Sequence, residues 1–260
     1  MAVMKNMSVI VAAAMLAGCA TDPAAVKPAA MFNGKDLTGW YTYIKGKGVG
    51  NDPDRVFTVN AEGNLLISGD GFGYIATERE YSDYRLSLEY RWCGRAYGPR
   101  IGRPADSGLL FHAIGEDGAM HHGAWMKSFE YNIIVGRTGD LIVIGEPGKD
   151  DITAKAKVNE IGRWNPDGKE KVIIGSGRVD NRFNPPNLPG DDTRPVTPPE
   201  SPYGEWNRLE LVCSGDRAEY YLNGVKVNEL YGLKPTRGKI LLQTEGHGIE
   251  YRNVRITSIP

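Results

Sequence analysis

The chain has 260 residues, 41% of them hydrophobic and 24% charged, an ordinary balance for a globular protein and enough length for one large β domain or two smaller ones. Its net charge of −1 gives no case for nucleic acid or an anionic membrane surface as a partner. The 33 glycines and 16 prolines suit many short strands joined by turns better than a helical fold.

The N-terminal element reads as a targeting segment rather than part of the fold. Lys5 precedes an apolar run, SVIVAAAMLA, which reaches Leu16-Ala17-Gly18-Cys19. A short positive region, an apolar core and a small-residue cleavage site make a secretory signal, too short to span a bilayer as a mature helix. The tetrapeptide resembles a bacterial lipobox, which implies cleavage before Cys19 and lipidation of its sulfur; an ordinary secretory signal with a chance cysteine is the alternative. Ala20 rather than Asp after the cysteine resembles the outer-membrane sorting pattern. The expectation is a bacterial envelope lipoprotein facing the periplasm, touching the membrane only through its lipid. Residues 1–18 are then signal, 19–30 a Pro/Ala tether and 31–260 one domain. Cys93 and Cys213 remain, without metal-type spacing. An oxidising envelope would permit a disulfide between them, and two separate thiols are the plainer reading.

From Met31 the pattern is strand, turn, strand. FTVNAEGNLLISG predicts a hairpin turning at AEGN, and YRLSLEYRW alternates strictly. SGLLFHAI, SFEYNIIV, LIVIG, EKVIIGSG, WNRLELVCSG, AEYYLNGVKVNEL, GKILLQTEG and IEYRNVRITSI follow, mostly at hairpin spacing, with no convincing helix of three turns. The class predicted is all-β, a jelly-roll sandwich of two antiparallel sheets. Two segments break the rhythm: CGRAYGPRIGRPAD, Cys93–Asp106, with three arginines, and the Pro-rich Asn184–Gly204. Loops this long inside a domain line sites or make solvated excursions.

Side chains alternate faces along a strand. In YRLSLEYRW, Leu86, Leu88 and Tyr90 share one face and Arg85, Ser87, Glu89 and Arg91 the other. In SFEYNIIV, Glu130 and Asn132 oppose Phe129 and Tyr131; in ILLQTEG, Gln243 and Glu245 oppose Leu242 and Thr244. His112 closes a strand on the side of Leu110. A solvated face with cross-strand Glu–Arg pairs is the plain explanation. Yet Glu, Arg, His, Asn, Gln and Trp are also the types that position a polar ligand, with Trp stacking on a sugar ring. Glu130, a carboxylate in a strand centre, must face water, pair with a cation such as Arg91, bind a metal or do chemistry.

MFNGKDLTGW at Met31–Trp40 resembles the opening motif of the 3-keto-disaccharide hydrolase domain family, and the resemblance runs on through DYRLSLEYRW, DSGLLFHAIGEDGA, WMKSFEYNIIVGRTGDL, GEWNRLELVCSGDRAEYYLNG and KILLQTEGHGIEYRNVRI. It implies a concanavalin A-like jelly roll and action on glycosides whose sugar carries a ketone at C3. The family usually has Gln two residues after the strand Glu; this chain has Asn132, a shorter amide with a different reach.

A 3-keto sugar opens an elimination route beside ordinary two-carboxylate glycoside hydrolysis. The ketone acidifies the C2 proton, a base removes it, and the C1 substituent leaves. Candidate groups are His112 or Glu130 as base, with Glu89 and Glu245 as further carboxylates and Glu245 or His122 as leaving-group acid. Arg91, or a divalent metal held by Glu89, His112 and Glu130, would stabilise the enolate; no strict ligand spacing supports the metal. Asn132, Trp125, Gln243, His122 and Arg103 are candidate substrate contacts. The competing reading is a non-catalytic carbohydrate-binding lipoprotein on the same fold, with Trp92 and Trp125 as its platform.

Overall fold

The computed structural model describes residues 27–183 and 199–260. The signal, Cys19, most of the tether and most of the Pro-rich segment lie outside the described residues. In chain order the strands are β1 (Ala29–Ala30), β2 (Trp40–Ile44), β3 (Gly48–Val49), β4 (Phe57–Val59), β5 (Leu65–Ile67), β6 (Phe72–Thr77), β7 (Tyr84–Ala96), β8 (Asp106–Ile114) and β9 (Lys127–Ile134). They continue as β10 (Leu141–Ile144), β11 (Thr153–Val158), β12 (Lys169–Ile174), β13 (Gly177–Val179), β14 (Asn207–Ser214), β15 (Arg217–Leu222), β16 (Val225–Lys234), β17 (Lys239–Glu245) and β18 (His247–Ser258). Among the described residues there is no α-helix, only a 3-10 turn at Gly98–Arg100. β1 pairs with β18, so the last residues of the expected tether are already sheet.

The ten-stranded sheet runs β12-β11-β16-β15-β14-β7-β18-β5-β4, with β1 added to β18, and the eight-stranded sheet runs β13-β10-β9-β8-β17-β6-β2-β3. All these strand pairings are antiparallel. β7 lies beside β18 and β8 beside β17, so distant parts of the chain interleave as a jelly roll requires.

Period-two patterning fixes which way each strand faces. Leu86, Leu88, Tyr90 and Trp92 of β7 are buried between the sheets with Leu209 and Leu211 of β14 and Phe129, Tyr131 and Ile133 of β9. Tyr131 and Tyr220 stack across the interior with centroids 4.3 Å apart. Burying a Leu or Phe here contributes about 1.5–3 kcal/mol.

β9 departs from the pattern, because Ser128, Glu130 and Asn132, which point away from the interior, are buried too. A second apolar cluster explains this. Trp125 and Met126, with Met120 beside them, pack over the outer face of the eight-stranded sheet against Tyr74, Leu110 and Leu241. The layer is tied down by Asp117 Oδ1, which accepts from Tyr41 (2.8 Å) and Tyr74 (2.6 Å), and by Tyr43, which donates to the Gly123 carbonyl (3.0 Å).

Candidate active site

Glu130 sits on the outer face of the eight-stranded sheet, paired across the ladder with Leu110 of β8 and Ile142 of β10. One step along, Asn132 lies opposite Gly108. Arg178 of β13 is opposite Ile142, and Leu241 of β17 is opposite Leu110. With period two, Asp106, Gly108, Glu130, Asn132, Arg178, Gln243 and Glu245 therefore share this face.

Gly108 is the gap around which the polar groups close. A Cβ there would stand 2.4 Å from Gln243 Oε1 and 2.5 Å from Glu130 Oε1. Both side chains thus occupy the space that any other residue at 108 would fill. Gln243 is 1% exposed and neither its Oε1 nor its Nε2 has a hydrogen-bond partner; Asn132 Oδ1 is likewise unpartnered. Orphaned buried polar atoms cost about 1–3 kcal/mol each, and their persistence marks a place where a ligand or water completes the set.

Charge is arranged on both sides of this gap. Arg100, at the end of the 3-10 turn, places Nη2 2.7 Å from Glu245 Oε1 and 2.9 Å from Asp106 Oδ2. On the far side Arg178 pairs with the fully buried Asp140 and, at 2.8 Å, with Asp180; Arg137 adds weaker contacts to both acids at 3.6 and 3.7 Å. The Glu130 carboxyl has no hydrogen-bond or ion-pair partner among the described residues. Burial holds its pKa well above the usual carboxyl range, Glu245, Asp106 and Asp140 add to the rise, and Arg178 opposes it. Burial and Asp106 likewise push Glu245 well up, against Arg100. Burial takes Asp106 to about 6, restrained by Arg100 and Arg178. Burial thus favours the neutral form of Glu130 and of Glu245, while Arg100 bridges Glu245 to Asp106 and holds both down. Carboxyls pushed to different protonation states in one site can divide acid and base roles.

The structure brings Glu130, Asn132, Gln243 and Glu245 together and separates the other candidates from them. Glu89 and Arg91 belong to the opposite surface. They face outward from the ten-stranded sheet, where Glu89 pairs with Arg252 at 2.5 Å and Arg91 with Glu250 at 2.7 Å, both guanidiniums stacking on Trp206. Alternation along β7 was legible, but nothing in it tells which sheet the strand joins. His112 is turned into the interior by a bulge between Phe111 and Ile114, with φ +49 at His112 itself. Its ring packs edge-on against Tyr84 and Phe129, its Nε2 is unpartnered, and burial lowers its pKa to about 4. Glu89, His112 and Glu130 therefore cannot share a metal, and among the described residues no group of three or more His, Cys, Asp or Glu side chains is placed to hold one.

Trp125 is 4% exposed, packed in the second cluster near Phe72, and Trp92 lies in the interior against His247. Neither offers the open platform expected of it. His122 is exposed on the Glu116–Trp125 layer, whose tyrosine anchors lie three strands (Tyr74) and four strands (Tyr41 and Tyr43) from Glu130, about 14–19 Å at ordinary strand spacing. Arg103 is exposed on the loop that carries Arg100. That loop is shorter than expected, because β7 continues to Ala96 by pairing with His247. Cys93 and Cys213 are both free thiols.

Asp106, Arg178 and Asp140 escaped the sequence reading. Asp106 carried a usable signal, since Asp106, Gly108 and Leu110 alternate in register with Glu130. Arg178 lies in a three-residue strand, too short for a period to show.

Comparison with known proteins accords with this architecture. A solved structure from Parabacteroides distasonis ATCC 8503, named as a candidate glycosyl hydrolase, is 19% identical over 90% of this chain and 94% of its own, with a TM-score of 0.52. A carbohydrate-binding module of Bacillus subtilis (14% identical, 85% and 96% covered, TM-score 0.47) and a Bacillus licheniformis beta-glucanase (12%, 86% and 94%, 0.41) are more distant. At these identities the likeness is one of fold. No curated protein matches in sequence. The model of the 3-keto-alpha-glucoside-1,2-lyase-like domain matches residues 27–257, nearly the whole described chain, and the protein belongs to that carbohydrate-active family.

Proposed function

We propose that the protein is an envelope-anchored enzyme that cleaves the glycosidic bond of 3-keto-glycosides by elimination. The observation that carries this reading is the convergence of the buried Glu130 carboxyl and the Gln243 amide on the gap at Gly108, beside the Asp106–Glu245 pair bridged by Arg100, in which burial takes Asp106 to about 6. In the first step Asp106 takes the C2 proton, and the C–H electrons form the C2–C3 double bond of an enolate whose oxygen is the former ketone. Glu130, whose burial favours the neutral acid, donates a hydrogen bond to that oxygen, a use of a protonated carboxylic acid with precedent in other enolising sites. The Gln243 amide, free of protein partners, donates beside it. In the second step the enolate electrons form the C1–C2 double bond as the C1–O bond breaks, and the leaving oxygen takes a proton from Glu245. Addition of water, hydroxyl to C1 and proton to C2, completes a net hydrolysis. The lipobox-like LAGC supports the anchoring; Cys19→Ser is expected to move the protein out of the detergent phase.

The test is incubation of the protein with a 3-keto-disaccharide and with its unoxidised parent, followed by mass analysis. Cleavage of the keto sugar alone supports the reading. Equal cleavage of both would make it an ordinary glycosidase, and binding without cleavage would make it a carbohydrate-binding protein.

A further inference from the structure

On the opposite surface, where β11 and β16 meet on the outer side of the ten-stranded sheet, a pocket of about 350 Å³ is lined by Lys157, Trp164, Pro166, Arg217, Glu229 and Tyr231. Its volume falls at the small end of ligand sites. The Trp164 backbone is fixed in place: it bridges to Val158, and its backbone N–H donates to the Asp180 carbonyl at 2.8 Å. Tyr231 is held by its hydroxyl donating to Glu170 at 3.0 Å. Tyr231 and Pro166 give the pocket an open apolar wall that suits a pyranose, and Trp164, 5% exposed and packed into the main core, forms its floor. Glu229 lies between Lys226 (2.8 Å) and Arg217 (3.3 Å), so its carboxylate is already neutralised. Lys157 is exposed and has no ion-pair partner among the described residues. The pocket therefore carries one cation without an ion-pair partner among the described residues, Lys157, at its rim.

The geometry points to a second saccharide-binding site, separate from the acidic cluster, that takes a sugar bearing a carboxylate. The pyranose ring lies against Tyr231 and Pro166, Lys157 faces the carboxylate, and Glu229 accepts from a ring hydroxyl. The acidic face around Glu130 has no comparable cation, since Arg100, Arg178 and Arg137 are all paired with carboxylates. A site of this kind would hold the enzyme on an acidic glycan while the other face turns over a separate sugar.

The experiment is calorimetric titration of the full chain, in low salt, with trigalacturonate and with maltotriose. Trigalacturonate is expected to bind and maltotriose to bind at least about tenfold more weakly. Lys157→Glu, an exposed change that leaves the fold intact, is expected to weaken trigalacturonate by about tenfold or more, as is Tyr231→Ala. Cleavage of a 3-keto-disaccharide is expected to stay unchanged in both. If that cleavage is absent from the wild-type protein too, the catalytic reading fails while the binding result still stands. No binding of trigalacturonate, equal binding of maltotriose, or unchanged affinity in Lys157→Glu would overturn the proposal.

Discussion

Arg100 Nη2 lies 2.7 Å from Glu245 Oε1, and this contact joins the loop after β7 to the end of β17. The same nitrogen reaches Asp106 at 2.9 Å, so one guanidinium sets the protonation of two carboxyls. Arg100 opposes the burial that pushes both pKa values up. Removing it must raise them further. A base works only when ionised, so the acid limb of kcat/KM, expected near the Asp106 value of about 6, moves to higher pH in Arg100→Gln. A limb that stays put would take Asp106 out of the base role.

Glu130→Gln keeps shape and removes the titrating proton. Turnover is expected to fall about 10²-fold or more, a barrier rise of about 2.7 kcal/mol. Stability should move the other way. Folded Glu130 keeps its proton where the unfolded chain loses it, above about pH 4.3, so wild-type stability declines as pH rises beyond that point. Glutamine escapes the decline. The melting temperature of the variant should therefore gain on wild type at pH 8 and not at pH 4. An active variant with unchanged melting would show a residue that neither reacts nor pays to be buried.

Gly108→Ala tests the closeness of the set. Its methyl would meet Gln243 Oε1 and Glu130 Oε1 at 2.4 and 2.5 Å, and both side chains must swing aside. A loss of kcat comparable to that of Glu130→Gln is expected, with the fold preserved as read by circular dichroism. Full activity would mean that the two oxygens need not converge.

His112 should matter for acid stability and not for turnover. Its folded pKa, about 4, lies below the ordinary 6.5, so the unfolded chain binds an extra proton between those values and stability falls as pH drops through that window. His112→Asn, an amide tolerated at positive φ, should show a shallower acid loss and an unchanged kcat. A hundredfold loss of turnover with normal melting would return His112 to the mechanism.

The fold was legible because alternation survives in the sequence whatever the sheet: Leu86, Leu88 and Tyr90 read as inward and are inward. Assignment to a sheet was not legible, since β7 and β9 carry the same kind of outward acid, and only long-range pairing with β18 or β8 puts Glu89 and Glu130 on opposite surfaces. The His112 bulge was hidden for a related reason. A single positive-φ residue reverses the face of a side chain without changing composition. Glu130, Asn132, Gln243 and Glu245 could be found because they alternate with large apolar residues, and Arg100 because it lies in a long aperiodic loop read as bordering the site, whereas Arg178 comes from a short strand with no period to read.

The most direct measurement of the central claim is cleavage of a 3-keto-disaccharide in D₂O, with the released keto sugar analysed by mass spectrometry at short times. Proton abstraction at C2 followed by addition of water predicts one deuterium at C2 of the released sugar, above the level of exchange in an enzyme-free control, and its loss in Glu130→Gln together with cleavage. Release of the sugar with C2 still carrying its original hydrogen would contradict elimination and point to direct displacement at C1.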